Sequence, residues 1–158
     1  MTLLPHIAGR VFDAPLLIAR AKLDTILGVL VPRLRGESLP FGAKPVTRDY
    51  EVENGIAIIP VVGTLVRRTI GLEAQSGLMS YSLIAERMDA ALQDTAVKAI
   101  LLDIDSPGGE AGGVFDLADK IFAARKVKPI WAVANDEAFS AAYAIAAATD
   151  RIYLSRTG

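Results

Sequence analysis

The chain contains no cysteine, which removes two classes of site at once. No disulfide can staple the fold, and no thiolate can bind a metal or act as a nucleophile. Histidine is nearly absent too: His6 stands alone among 158 residues, near a terminus where order is usually lost. One histidine cannot build a metal cluster, so no metal and no other cofactor is expected. A Ser-His-Asp arrangement would have to recruit His6. Excess positive charge is also lacking: 17 Lys and Arg face 18 Asp and Glu, a net charge of −1, with no basic stripe. Clustered cations carry nucleic-acid affinity, so no nucleic-acid partner is expected. Long uncharged apolar runs are missing as well. The most apolar N-terminal stretch, residues 16–34, holds Arg20, Lys22, Asp24 and Arg33, which are costly in hydrocarbon. No integral membrane segment is expected. No basic leader precedes a long uncharged core, so the protein is expected not to be secreted.

What is present is apolar: 52% of residues are hydrophobic, enough for one domain with a real core. Residues 14–31 read as an amphipathic helix with Leu16, Leu23, Ile26, Leu27 and Leu30 on one face, ended by Pro32. Pro32, Gly36, Pro40, Gly42 and Pro45 mark a linker. The chain therefore divides into a helical extension at 1–31, a linker at 32–49 and a main domain at 50–158. The run at 56–63 predicts a strand buried on both faces. A glycine-rich loop follows at 71–77. Ser80 is placed to cap a helix whose inner face is Tyr81, Ile84, Ala85, Met88 and Leu92. Further strands are expected at 97–104, 129–134 and 151–154, and further helices at 112–125 and 139–148. The first of these two helices repeats Val114, Leu117, Ala118, Ile121 and Phe122 at helical spacing. Strands alternating with helices through short connections predict an α/β domain with a mostly parallel sheet. The last strand lies at the end of the chain, and a sheet rarely stops on an uncovered strand. The sequence thus reads as a fold incomplete at its C-terminus, either a fragment or one that a partner completes.

Two segments could carry chemistry. The apolar run 101–104 ends in Asp105-Ser106-Pro107-Gly108-Gly109, and a helix pattern follows. Glycine amides at a strand tip can hold an anion or an oxyanion. The plainer reading is a tight strand-to-helix turn. A phosphate loop fits less well, because no Gly-Lys-Ser/Thr follows and the glycines do not match G-x-G-x-x-G. About thirty residues on (140 − 109 = 31), Ser140 opens an alanine-rich helical segment. Its plainer reading is an N-cap. As a nucleophile it needs a base. With His6 the sole histidine and near a terminus, the expected base is instead a lysine whose pKa burial lowers. Lys22, Lys44, Lys98, Lys120, Lys126 and Lys128 are the available lysines, and none is well placed. The base is therefore expected outside these 158 residues.

Together, residues 97–109 and the run Ala138-Phe139-Ser140-Ala141-Ala142-Tyr143, followed by Thr149-Asp150-Arg151-Ile152-Tyr153, resemble the signal peptide peptidase A-like serine proteases. The resemblance covers residues 50–158. It implies the ClpP/crotonase fold, a spiral of ββα units, and a Ser–Lys dyad. By this resemblance Ser140 matches the nucleophile, and Gly108 and Gly109 match the oxyanion hole. Leu4-Pro5-His6-Ile7-Ala8 and Phe12-Asp13-Ala14-Pro15, without a membrane anchor, are similar to the phage branch of head-maturation proteases and minor capsid protein C. The implied partners are capsid or scaffold proteins as substrates and further copies of the chain. The implied location is the host bacterial cytoplasm or the prohead. In this family the lysine lies several dozen residues beyond the serine, whereas only 18 residues (158 − 140) follow here and none is lysine. The alternatives that stay open are a non-catalytic capsid assembly domain, a cellular signal-peptide-degrading peptidase and, last, acyl-CoA chemistry on the crotonase version of the fold.

Overall fold

Asn54 and Gly55 both take positive φ, 52° and 83°, the pairing that a two-residue hairpin turn requires. They join β1 (Glu51–Glu53) to β2 (Ile56–Val62) as an antiparallel pair in which Glu53 faces Ile56. This computed structural model describes residues 31, 50–68 and 77–156. The helical extension at 1–31, apart from Val31, and the linker at 32–49 lie outside the described residues. So does the loop at 71–77, apart from Gly77.

From β2 onward the main sheet is parallel. β5 (Ala99–Ser106), β6 (Ile130–Ala138) and β7 (Arg151–Leu154) add in turn, giving the order β1-β2-β5-β6-β7. Among the described residues β1 pairs only as far as Ile58, so Pro60 has no described partner on that side whose ladder bond its missing N–H would cost. A second, small sheet pairs β3 (Thr64–Val66) with β4 (Leu78–Ser80) in parallel. A main-sheet strand followed by a helix thus recurs three times among the described residues, the first unit adding the short strands β3 and β4 and the second a single bridge from Gly109 to Leu65.

Helices α1 (Tyr81–Gln93), α2 (Val114–Ala124) and α3 (Ala141–Ala147) form one layer, with α2 packed between α1 and α3. Ser80 caps α1 as expected: its Oγ accepts the Leu83 N–H at 3.1 Å. At the other end, the Lys128 ammonium donates to the carbonyls of Ala91 and Asp94, both at 2.8 Å. That satisfies orphan carbonyls with a cation where the helix dipole favours one. α1 buries Tyr81, Ile84, Met88 and Ala91, while Ala85 and Leu92 pack at its margin. In α2, Val114, Leu117 and Ile121 are buried, but Phe122 is 58% exposed and lies under the Arg125 guanidinium, 4.5 Å from its ring centre.

The expectation that 56–63 is buried on both faces is corrected. β2 alternates, with Ala57, Ile59 and Val61 fully buried and Ile56, Ile58 and Pro60 only partly so. Among the described residues the helices cover one side of the sheet. On the other side Ile58, Leu101 and Trp131 stand in register and only partly buried by described residues. Strand ends also move: β5 runs to Ser106 and β6 to Ala138, each beyond the expected 104 and 134. Their polar ends stay paired to each other, which hydrophobic patterning cannot register.

Candidate active site

The C-terminal ends of β5 and β6 lie side by side, and both candidate segments leave from there. Ile104 pairs with Ala134 and Ser106 with Ala138, so the register slips between them and β6 gains two residues. Such an irregularity re-aims the chain that follows. Beyond Ala138 only two residues separate strand from helix, and the Phe139 N–H donates to the Ser106 carbonyl at 3.0 Å.

Ser140 occupies the turn with φ 51° and ψ −118°. A non-glycine residue there is strained by about 1–3 kcal/mol. Its hydroxyl makes no capping bond, so the N-cap reading does not hold. Among the described residues the Oγ has no hydrogen-bond partner, and the residue is exposed. The turn is closed by the Ala142 N–H on the Phe139 carbonyl and by the Ala144 N–H on the Ser140 carbonyl, both at 3.0 Å. A strand, one strained serine and a helix make an elbow that presents a hydroxyl to solvent.

Gly108 is pressed against this elbow. Its φ is +90°, and a Cβ added there would lie 2.7 Å from Ser140 Cβ, 2.6 Å from the Phe139 carbonyl oxygen and 3.1 Å from the Ala141 nitrogen. Gly109 needs no unusual φ; its requirement is space. A Cβ on it would meet the Leu65 carbonyl oxygen at 1.8 Å. The cause is a short parallel bridge: the Leu65 N–H donates to the Gly108 carbonyl and the Glu110 N–H to the Leu65 carbonyl, each at 2.9 Å. In such a ladder the intervening residue turns its own N–H and C=O the other way, so those of Gly109 face away from β3. The Gly108 N–H is engaged by Ser106 Oγ at 3.1 Å.

The three residues singled out from sequence, Gly108, Gly109 and Ser140, therefore come together at one sheet end. Leu65, Ser106 and the Ala141 amide join them and were not singled out. Leu65 lies 43 residues before Gly108 (108 − 65), and no spacing rule connects them. Ala141 had a signal, because the residue after an elbow serine offers its N–H at the same place.

The described lysines lie elsewhere. Lys120 pairs with Asp89 at 2.6 Å, and Lys128 holds the end of α1. Lys98 leans on Gly55 at the start of β5, the opposite end of the sheet from Ser140, and Lys126 follows α2 on that same side. Lys22 and Lys44 are outside the described residues. No group of three metal-ligating side chains occurs among the described residues.

Around the glycine turn the electrostatics are local. The Tyr81 hydroxyl donates to the Glu110 carbonyl at 2.5 Å. Burial, with the Glu110 carboxylate adding to it, pushes the phenol up to about 12. The Arg67 N–H donates to the Glu110 carboxylate at 2.9 Å. On the open side of the sheet, burial and then the neighbouring Asp105 hold Asp103 above the usual carboxylate range, and the Asn135 amide donates to it.

No protein-family model matches the chain. It is 39% identical to the capsid assembly protease C of Escherichia phage lambda, over 98% of this chain and 40% of that protein. It is 47% identical to the head-tail preconnector protein GP5 of Enterobacteria phage P21, over 73% of this chain and 23% of that protein. A candidate signal peptide peptidase SppA of Enterococcus faecium is 27% identical, over 72% of this chain and 34% of that protein. The chain thus spans less than half the length of these relatives. Among solved structures, an enoyl-CoA hydratase/isomerase family member superposes with a TM-score of 0.50 at 19% identity, covering 71% of this chain and 49% of the other. That likeness speaks to the fold alone. With the elbow serine and the glycine turn at one sheet end of a ββα spiral, the chain belongs to the signal peptide peptidase A-like family, in its phage capsid protease branch, on the ClpP/crotonase fold.

Proposed function

We propose that this chain carries the nucleophile and oxyanion-hole part of a serine endopeptidase that processes capsid or scaffold proteins during head maturation. The observation that carries the reading is Ser140: an exposed, strained, uncapped hydroxyl against a glycine turn. In the proposed reaction Ser140 Oγ attacks the scissile carbonyl and gives its proton to a general base. The carbonyl oxygen becomes an oxyanion that accepts hydrogen bonds from the Gly109 N–H, which the Gly108 turn presents, and from the Ala141 N–H. The tetrahedral adduct collapses as the protonated base gives its proton to the leaving amine, which leaves an acyl-serine. Water, deprotonated by the same base, then attacks the acyl carbonyl, and the adduct collapses to release the acid as the base returns its proton to Ser140 Oγ. The base is a lysine supplied from outside these 158 residues, forming the Ser–Lys dyad. The outward C=O of Gly109 is left to accept a backbone N–H of an extended substrate peptide.

The location that goes with this activity is the host cytoplasm or the prohead, in an assembly of several copies. No described helix is long and apolar enough to cross a membrane. The test is Ser140→Ala in the full chain, co-expressed with the capsid and scaffold proteins of its phage. Processing should stop while thermal unfolding stays unchanged. Continued processing rules the reading out.

A second reading, a non-catalytic assembly domain, is favoured by one observation: none of the described lysines is placed near Ser140. Under that reading Ser140→Ala leaves head assembly intact.

A further inference from the structure

Ser106 is fully buried, with 0% of its surface exposed, yet it is a polar residue at the end of an apolar strand. Its hydroxyl is used twice. It donates to the Gly63 carbonyl at 2.7 Å and accepts the Gly108 N–H at 3.1 Å. Its main-chain carbonyl receives the Phe139 N–H. One residue thus touches three segments: the bend between β2 and β3, the glycine turn, and the residue before Ser140. Gly63 is itself held, since its N–H donates to the Asp105 carbonyl at 3.0 Å and a Cβ on it would lie 2.3 Å from the Gly77 carbonyl oxygen. The Gly63 bend is therefore itself tied to β5 and closely packed.

We infer that Ser106 is a positioning residue, whose hydroxyl ties the Gly108 amide to the Gly63 bend and so fixes the glycine turn against Ser140. The argument is one of satisfaction and direction. Without the hydroxyl, the Gly63 carbonyl loses a donor and the buried Gly108 N–H loses its acceptor. The Pro107–Gly108 peptide, which carries that N–H, then loses its tie, while the Gly108–Gly109 peptide keeps the bond from Leu65 to its carbonyl. The Gly109 N–H lies in this second peptide and pivots about that bond as the Gly108 Cα beside it is released. The Phe139 to Ser106 main-chain bond survives any side-chain change, so Ser140 keeps its place while the turn beside it loosens. The assignment rests on the peptidase reading for its catalytic consequence, but the tie itself does not depend on that reading.

The test therefore has two arms, run on the full chain with Ser106→Ala, and with Ser106→Thr to restore the hydroxyl. By amide exchange, Ser106→Ala should speed exchange at Gly108 at least tenfold, leave Leu102 in the centre of the sheet unchanged, and be reversed by Ser106→Thr. Unchanged exchange at Gly108 overturns the inference. In cleavage of the capsid protein, Ser106→Ala should lower kcat at least tenfold with KM within twofold of wild type, and Ser106→Thr should recover most of the loss. A wild-type kcat in Ser106→Ala also overturns it. The cleavage arm is run with the segment or partner that supplies the lysine present; if wild type and Ser140→Ala are then equally inactive, the peptidase reading fails and the exchange arm alone decides Ser106. Should Ser106→Ala not fold, Ser106→Cys, close to serine in size but a weaker donor, carries the same comparison.

Discussion

Alanine at Gly108 imposes two separable costs, and the other glycines supply the controls. The first cost is conformational. At φ +90° an L side chain is strained by about 1–2 kcal/mol. The second is steric. The new Cβ would sit 2.6 Å from one backbone atom and 2.7 Å from Ser140 Cβ, neither of which can swing away as the end of a long side chain can. Forcing a methyl into such a site costs about 1–3 kcal/mol more. Gly108→Ala should therefore destabilise by about 2–5 kcal/mol, a large share of the stability of a domain this size. Gly77→Ala isolates the first cost: φ is +64°, but among the described residues the added Cβ meets nothing within 4 Å. It should lose about 1–2 kcal/mol. Gly112→Ala carries neither cost, having no positive φ and open space. It should be neutral or gain about 0.4–1 kcal/mol through the unfolded chain. The assay is urea denaturation of the three variants at constant m, read as shifts in midpoint. Midpoints in the order Gly112→Ala, Gly77→Ala, Gly108→Ala are expected. If Gly108→Ala unfolds no earlier than Gly77→Ala, the turn is not pressed against the Phe139–Ser140 elbow, and the site as described is wrong.

Other expectations follow from single residues. Ser140→Gly relieves the strain at φ 51° and should raise stability by about 1 kcal/mol in thermal or urea unfolding while abolishing any cleavage; Ser140→Ala should abolish cleavage without that gain. Tyr81 holds its proton to about 12, above the ordinary 10.0. The unfolded chain releases that proton first, so stability is intact below pH 10 and falls as pH rises through about 12. Tyr81→Phe should flatten that alkaline slope and cost about 1 kcal/mol at neutral pH through the lost bond to Glu110. Asp150 accepts the Ile130 N–H at 2.9 Å and the Arg125 Nε at 2.7 Å, and these hold its carboxyl below the usual range. Its contribution is present above the ordinary carboxylate pKa and lost as pH falls through the lowered folded value; Asp150→Asn should remove that part of the acid slope in pH-dependent unfolding.

How far the chain could be read depended on the length scale of each feature. The helical faces of α1 and α2 were legible because Tyr81, Ile84 and Met88, and Val114, Leu117 and Ile121, repeat at the spacing of a buried stripe. Phe122 obeys the same spacing yet faces solvent, because Arg125 one turn on gives its ring a partner there. The hairpin at Asn54-Gly55 carried a strong local signal that the apolar run after it overshadowed. β3 and β4, three residues each, are too short for any periodicity to register. At the site, Gly108 and Ser140 were legible as motif residues. That Gly109 is required by the Leu65 carbonyl rather than by its φ was not, since the contact joins segments far apart in sequence.

The contacts that make the site also order it in time. Leu65, Gly108 and Ser140 belong to three successive turns of the spiral, and each closes on the one before. A chain emerging from the ribosome exposes them in that order. The bend at Gly63 and its bonds to Asp105 and Ser106 can form while the rest is still being made. The serine elbow has no surface to close on until the glycine turn is in place. Its strained conformation depends on those neighbours, so the serine elbow is expected to take shape last, when the third turn docks.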